Sequence, residues 1–128
     1  MKKLFLLFAI IFTTAIYSQT KVEKVDAITF KKYIDEKKGV LIDLRTDDEL
    51  ALKGFIKGSK QLDFFGKNAE AVIKKLDKKK TYLVYCAGGG RSGDCADLMA
   101  KLKFTHVVDL TKGFEDWKKQ GFEVETKK

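Results

Sequence analysis

The sequence predicts an α/β domain with a mainly parallel central sheet covered by helices on both faces. Three observations carry this. Apolar runs at residues 40–44, 81–85 and 106–110 have the near-continuous hydrophobicity of strands buried on both sides. Segments of helical periodicity alternate with them, the order expected of parallel strands joined by helical crossovers. The middle run ends at Cys86 and passes through Ala87, Gly88, Gly89 and Gly90 into Arg91, Ser92 and a further helical segment. In sheets of this kind ligands bind beyond the carboxyl ends of the strands, which is where Cys86 falls.

The elements follow in order. Residues 21–24 form a short polar lead-in. Asp26 can cap a helix in which Ile28, Phe30, Tyr33 and Ile34 recur at helical spacing, with Gly39 as its stop. The strand at 40–44 runs into Arg45. Thr46, Asp47, Asp48 and Glu49 then suit the start of a short helix ended by Gly54. Residues 55–59 make an irregular turn into a brief extended piece around Leu62. A helix over 68–76 turns Ala69, Val72, Ile73 and Leu76 inward. After the turn at 77–80 comes the central strand, 81–85. The next helix runs from Ser92 to about Leu102, with Ala96, Leu98, Met99 and Leu102 on its apolar face. Strand 106–110, a last helix over 114–119 carrying Trp117, and a short extended tail over 121–124 complete the domain.

The 128 residues suffice for one domain with one core. Met1-Lys2-Lys3, the apolar run from Leu4 to Phe12 and the smaller, more polar residues up to Ser18 have the form of a secretory signal peptide. That assigns 1–18 to a signal cleaved after Ser18 and 20–126 to the domain. An exported, periplasmic or secreted protein without stable membrane association is expected. The formal charge of +8 falls to +6 once Lys2 and Lys3 are removed. The lysines are scattered over helix faces and turns, with one run at 78–80. No basic stripe interleaved with aromatics occurs, so nucleic acid is not an expected partner.

Cys86 and Cys95 are the two cysteines and His106 is the one histidine. No Cys-x-x-Cys occurs, which argues against thioredoxin-type chemistry, and the two cysteines do not read as a disulfide framework. A lone histidine at the head of an apolar run cannot build a multi-histidine metal site, so His106 is assigned a structural part and no metal is expected. Cys95 lies among apolar neighbours in the helix, where burial accounts for it better than a resolving-thiol role. Cys86 differs in its company. Three glycines allow backbone amides to approach its sulfur closely, and the helix start and Arg91 favour negative charge there. The loop is expected to be an anion cradle around a reactive thiolate.

Three stretches carry a resemblance. Leu41-Ile42-Asp43-Leu44-Arg45, Glu49 and Gly54-Phe55-Ile56-Lys57-Gly58-Ser59 resemble the first signature of rhodanese domains. Cys86-Ala87-Gly88-Gly89-Gly90-Arg91-Ser92 resembles their active-site loop, and Gly113-Phe114, Trp117 and Gly121 resemble the family's ending. The match spans nearly all of the chain after the leader, in order and in spacing. It departs at Phe55, Lys57 and Ser59, where the family usually has histidine, often proline, and alanine. With no proline in the chain, packing must make this turn rigid.

The resemblance implies a rhodanese-like fold and a sulfurtransferase of the thiosulfate:cyanide class working without a cofactor. Cys86 would be the nucleophile, attacking the outer sulfur of a donor and becoming a persulfide. Ala87, Gly88, Gly89, Gly90, Arg91 and Ser92 would bind the substrate, with Arg91 pairing a sulfonate oxygen. Asp43, Arg45 and Glu49 would hold strand end and loop together. The implied partners are a small anionic sulfur donor and a thiophilic acceptor, and the implied state is a monomer. Cysteine phosphatases and arsenate reductases need five residues between cysteine and arginine, whereas four separate Cys86 from Arg91. A binding or sulfur-carrier module that kept the fold without catalysis is the other alternative, though such modules commonly lose the cysteine.

Overall fold

A computed structural model describes residues 2–12 and 19–127. The proposed cleavage point at Ser18 lies outside the described residues. Residues 2–12 contain no helix or strand, and the large side chains from Leu4 to Phe12 are exposed. Among the described residues no helix is long and apolar enough to cross a membrane.

Five strands form one sheet: β1 (Lys21–Val25), β2 (Val40–Asp43), β3 (Lys60–Gln61), β4 (Thr81–Tyr85) and β5 (His106–Leu110). Their order is β1-β5-β4-β2-β3, and every pairing is parallel. The helices are α1 (Ala27–Asp35), α2 (Asp47–Lys53), α3 (Ala69–Lys74), α4 (Gly90–Lys101) and α5 (Gly113–Lys119). Successive strand residues point to opposite faces, so the central strand serves two cores. Tyr82 and Val84 pack with Ile73 of α3 and with Cys95, Ala96 and Met99 of α4. Leu83 and Tyr85 pack with Phe30 of α1 and with Phe114 and Trp117 of α5. This is the expected α/β sheet with both faces covered.

Several local expectations change. Residues 21–24, expected to be a polar lead-in, belong to β1. Its polarity follows from its place at the sheet edge, where it pairs only with β5 and edge lysines discourage further pairing. Val72, expected inward, is 45% exposed, because in this six-residue helix Ala69 and Ile73 define the buried face. Helix α1 ends before Gly39. Its C-cap is Glu36, and Lys37 takes the left-handed turn at φ 53°. Helix α4 begins at Gly90, two residues ahead of the expected start. The tail contributes a single antiparallel bridge, Glu125 to Phe55, in place of an extended piece over 121–124.

Other local signals act as read. The Asp26 carboxylate accepts the Thr29 amide at 2.8 Å, and Thr46 with Glu49 forms a reciprocal capping box on α2. Gly54 closes α2 with φ 79°. The turn at 55–59 is held by packing. Phe55 and Glu125 exchange two backbone hydrogen bonds, Ile56 is buried, and the Ile56 amide donates to the Tyr85 hydroxyl at 3.1 Å. His106 is part of a structural cluster, its Nε2 lying 2.7 Å from Glu23 and its Nδ1 3.2 Å from Thr81.

Candidate active site

Cys86 is the first residue after β4, and the chain there is fastened on two sides. Tyr85 still accepts a backbone hydrogen bond from Leu44, beyond the end of β2. On the other side the first turn of α5 donates Phe114 N–H to the Cys86 carbonyl at 2.8 Å and Glu115 N–H to the Ala87 carbonyl at 3.2 Å. Helix-start amides without intrahelical partners thus anchor the loop. Gly89 then turns the chain at φ 106°, and an added Cβ would overlap the Thr111 carbonyl oxygen. Only glycine meets both demands.

That turn aims backbone at the sulfur. Gly89 N–H donates to Cys86 Sγ at 3.1 Å and Ser92 N–H at 3.4 Å, while the Ser92 hydroxyl lies 3.6 Å away and donates to the Gly89 carbonyl at 3.2 Å. The Ser92 amide belongs to the first turn of a twelve-residue helix and Gly89 is its N-cap, so the helix N-terminus faces the sulfur. Of the six loop residues expected to cradle an anion, Gly89 and Ser92 therefore touch the sulfur. Gly88 and Gly90 present open space where a Cβ would be. Ala87 contributes its carbonyl to the anchor on α5. Cys86 itself is only 1% exposed, so a reagent must come to the sulfur at the floor of the loop.

Arg91 is placed differently from the expectation that it pairs with a donor's sulfonate. Its guanidinium makes two parallel hydrogen bonds to Glu49, at 2.8 and 2.7 Å, and lies over the Phe65 ring, 4.7 Å from its centre. The Arg91 hydrogen bond, helped by the backbone and hydroxyl of Thr46, holds the Glu49 carboxyl down to about 2 from an ordinary 4.5, despite some burial. An arginine committed in this way does not encircle a tetrahedral oxyanion, which together with the four-residue spacing disfavours phosphatase chemistry.

The profile of one family, the Rhodanese-like domain, matches residues 26–120. The chain belongs to this family. It is 30% identical to a Schizosaccharomyces pombe protein named "Putative thiosulfate sulfurtransferase, mitochondrial", over 84% of this chain and 88% of that one. A rhodanese-related protein from Thermoplasma volcanium superposes with a TM-score of 0.71 at 25% identity, covering 82% of this chain and 99% of that one. A rhodanese-like domain protein from Staphylococcus aureus gives 0.67 at 26% identity, covering 85% and 100%.

In this rhodanese-like domain Asp43, Arg45 and Glu49, the residues expected to hold strand end and loop together, sit in two ion pairs, Asp43 with Arg45 and Glu49 with Arg91. Asp43 and Arg45 are fully buried and paired through Arg45 Nε at 3.0 Å and Nη2 at 2.8 Å, and Nη2 also reaches the Gly54 carbonyl at 2.7 Å. The guanidinium lies 4.0 Å from the centre of the Phe114 ring, on the helix that anchors the loop. The Tyr85 hydroxyl donates to Asp43 at 2.5 Å, joining β4 to the same cluster. Glu49 serves the loop through Arg91. Three participants were not foreseen: Phe65, Tyr85 and Gln61, whose side-chain amide caps the Arg45 carbonyl at 3.0 Å. The Thr46-x-x-Glu49 spacing was the one available signal that Glu49 would be held in place. Cys95 is buried against the core beneath α4, and burial first, then Asp109 and Cys86 charge, pushes its thiol up to about 12. Both cysteines are free. No group of histidine, cysteine and carboxylate side chains suited to a metal occurs among the described residues.

Proposed function

We propose that this rhodanese-like domain is a sulfurtransferase that carries a sulfane sulfur on Cys86. The single observation behind this reading is the pair of amides, Gly89 and Ser92, aimed at Cys86 Sγ at the start of α4. In the first half-reaction the Cys86 sulfur attacks the outer sulfur of a donor of the thiosulfate type. A sulfur–sulfur bond forms to Cys86, the donor's own sulfur–sulfur bond breaks, and sulfite leaves with the electron pair. In the second half an acceptor takes the outer sulfur and Cys86 is regenerated. Both stages place negative charge at one spot, and preoriented N–H groups stabilise it without having to reorganise. The name of the yeast relative supports a thiosulfate-type donor. The basic start and apolar run of residues 1–12 support export, with cleavage after Ser18 and action outside the cytoplasm.

Cys86→Ser tests the reading. The variant is expected to lose sulfur transfer while unfolding at the wild-type temperature, and intact mass should show an added sulfur on the wild type alone after thiosulfate. Turnover close to wild type in the variant would end the assignment. The size of the secreted product, read by mass in the culture fluid or periplasm, tests the leader.

A further inference from the structure

We propose that the groove between α3 and the β3 edge of the sheet binds a small anionic amphiphile, free in solution, with an unbranched apolar body and one acidic head. The groove has a volume of about 370 Å³, within the range of small-ligand sites. No residue of the Cys86 loop lines it, and the proposal does not depend on sulfur transfer. Two features that sulfur chemistry leaves unused meet here: the outward turn of Val72 and the lysine run at 78–80. The floor is apolar. Val40, Ile42 and Tyr82 supply it from the sheet, Leu62 from the chain after β3, and Val72 and Leu76 from α3 and the turn beyond it. Strand β3 is two residues long and pairs only with Ile42 and Asp43, so no strand flanks Val40 on that side. The apolar layer beneath α3 is left open at this edge, and Val72, 45% exposed, faces the opening.

The rim is basic. Lys60, Lys75 and Lys80 line the groove against one carboxylate, Asp77. None of the three lysines forms an ion pair among the described residues. The Asp77 carboxylate accepts the Lys79 amide at 2.9 Å, and the Tyr82 hydroxyl donates to the Asp77 carbonyl at 2.7 Å, which ties the turn carrying Lys80 to the floor. An apolar floor and an uncompensated positive rim call for the two ends of one molecule. The tail removes its own carbons and the floor from water, while the head meets the ammonium groups. A cationic amphiphile gains only the first, and a small hydrophilic anion only the second. A six-residue helix and a two-residue strand bound the groove, which gives it the dimensions of a small molecule, not of a protein interface.

The full chain, isotopically labelled, is titrated with decanoate, decyltrimethylammonium and acetate, each below any micelle concentration, and amide shifts are followed by NMR. Decanoate should shift the amides of residues 60–62 and 72–76 saturably, and acetate should not. Decanoate should bind about tenfold more tightly than decyltrimethylammonium, and added salt should narrow that gap. Lys60→Gln, Lys75→Gln and Lys80→Gln combined should lower decanoate affinity about tenfold. Val72→Asp, at an exposed position, should lower it by about tenfold or more, with melting temperatures checking that both variants are folded. Absence of a saturable shift in the groove, shifts confined to the leader, equal affinity for the two oppositely charged amphiphiles, or an affinity that the lysine variant leaves unchanged would each overturn the proposal.

Discussion

Arg91 and Glu49, 42 residues apart in sequence, meet in a bidentate pair at 2.8 and 2.7 Å. The pair ties the first turn of α4, which carries an amide on the Cys86 sulfur, to the start of α2. Arg91 therefore acts on the loop's shape, and its effect should not depend on the charge of the donor. Arg91→Ala and Glu49→Gln should each lower kcat/KM roughly tenfold or more, equally for thiosulfate and for an uncharged persulfide donor. The double variant should cost little beyond either single one, as expected of residues acting as a unit. A loss confined to thiosulfate, seen for Arg91→Ala and not for Glu49→Gln, would mean that the guanidinium leaves Glu49 to bind the donor.

The same pair sets an acid dependence of stability. The Glu49 carboxyl ionises near 2 in the folded protein against an ordinary 4.5, mainly because of Arg91. Its stabilising contribution is complete above the ordinary value and is lost as the pH falls toward about 2. A shift of this size corresponds to about 3 kcal/mol as an upper bound for a partly exposed group. Urea unfolding of wild type and Glu49→Gln should differ most at neutral pH, and the difference should shrink steadily in acid. A difference independent of pH would show that the charge of Glu49 is not what stabilises.

Gly89 and Gly88 should respond oppositely to alanine. At Gly89 the φ of 106° and the overlap with the Thr111 carbonyl both oppose a Cβ, whereas Gly88 has neither obstacle. Gly89→Ala should lower the melting temperature markedly and displace the amide from the sulfur. Gly88→Ala should melt close to wild type. Equal melting of the two would mean that the loop relaxes around a left-handed alanine.

Asp43→Ala should be among the most destabilising single changes in the domain. It strands the buried Arg45 guanidinium and removes the acceptor of the Tyr85 hydroxyl. Losing one partner of a buried pair costs about 3–5 kcal/mol, and Tyr85→Phe, which removes one hydroxyl, should cost about 1–3 kcal/mol. Chemical denaturation of both variants checks the order. Similar losses would mean that Arg45 finds another anion or water.

The strands at 40–44, 81–85 and 106–110 were legible because burial on both faces writes itself as unbroken hydrophobicity, and the helix starts at Asp26 and Thr46 because capping is a local affair of three or four residues. The setting of Cys86 was legible for the same reason: Cys86, its glycines and the start of α4 are neighbours in the chain. What sequence alone could not decide depended on partners far along it. Lys21–Val25 is a strand only because β5 lies beside it, and a half-solvated edge strand needs too few apolar residues to announce itself. Val72 turned outward because the width of the buried face on α3 is set by what packs against it. Arg91 looked like a donor-binding cation from its place in the loop, yet the fold brings Glu49 and Phe65 to it. A charge takes the nearest opposite charge that packing supplies, and which one that is depends on tertiary contact, not on the residues to either side.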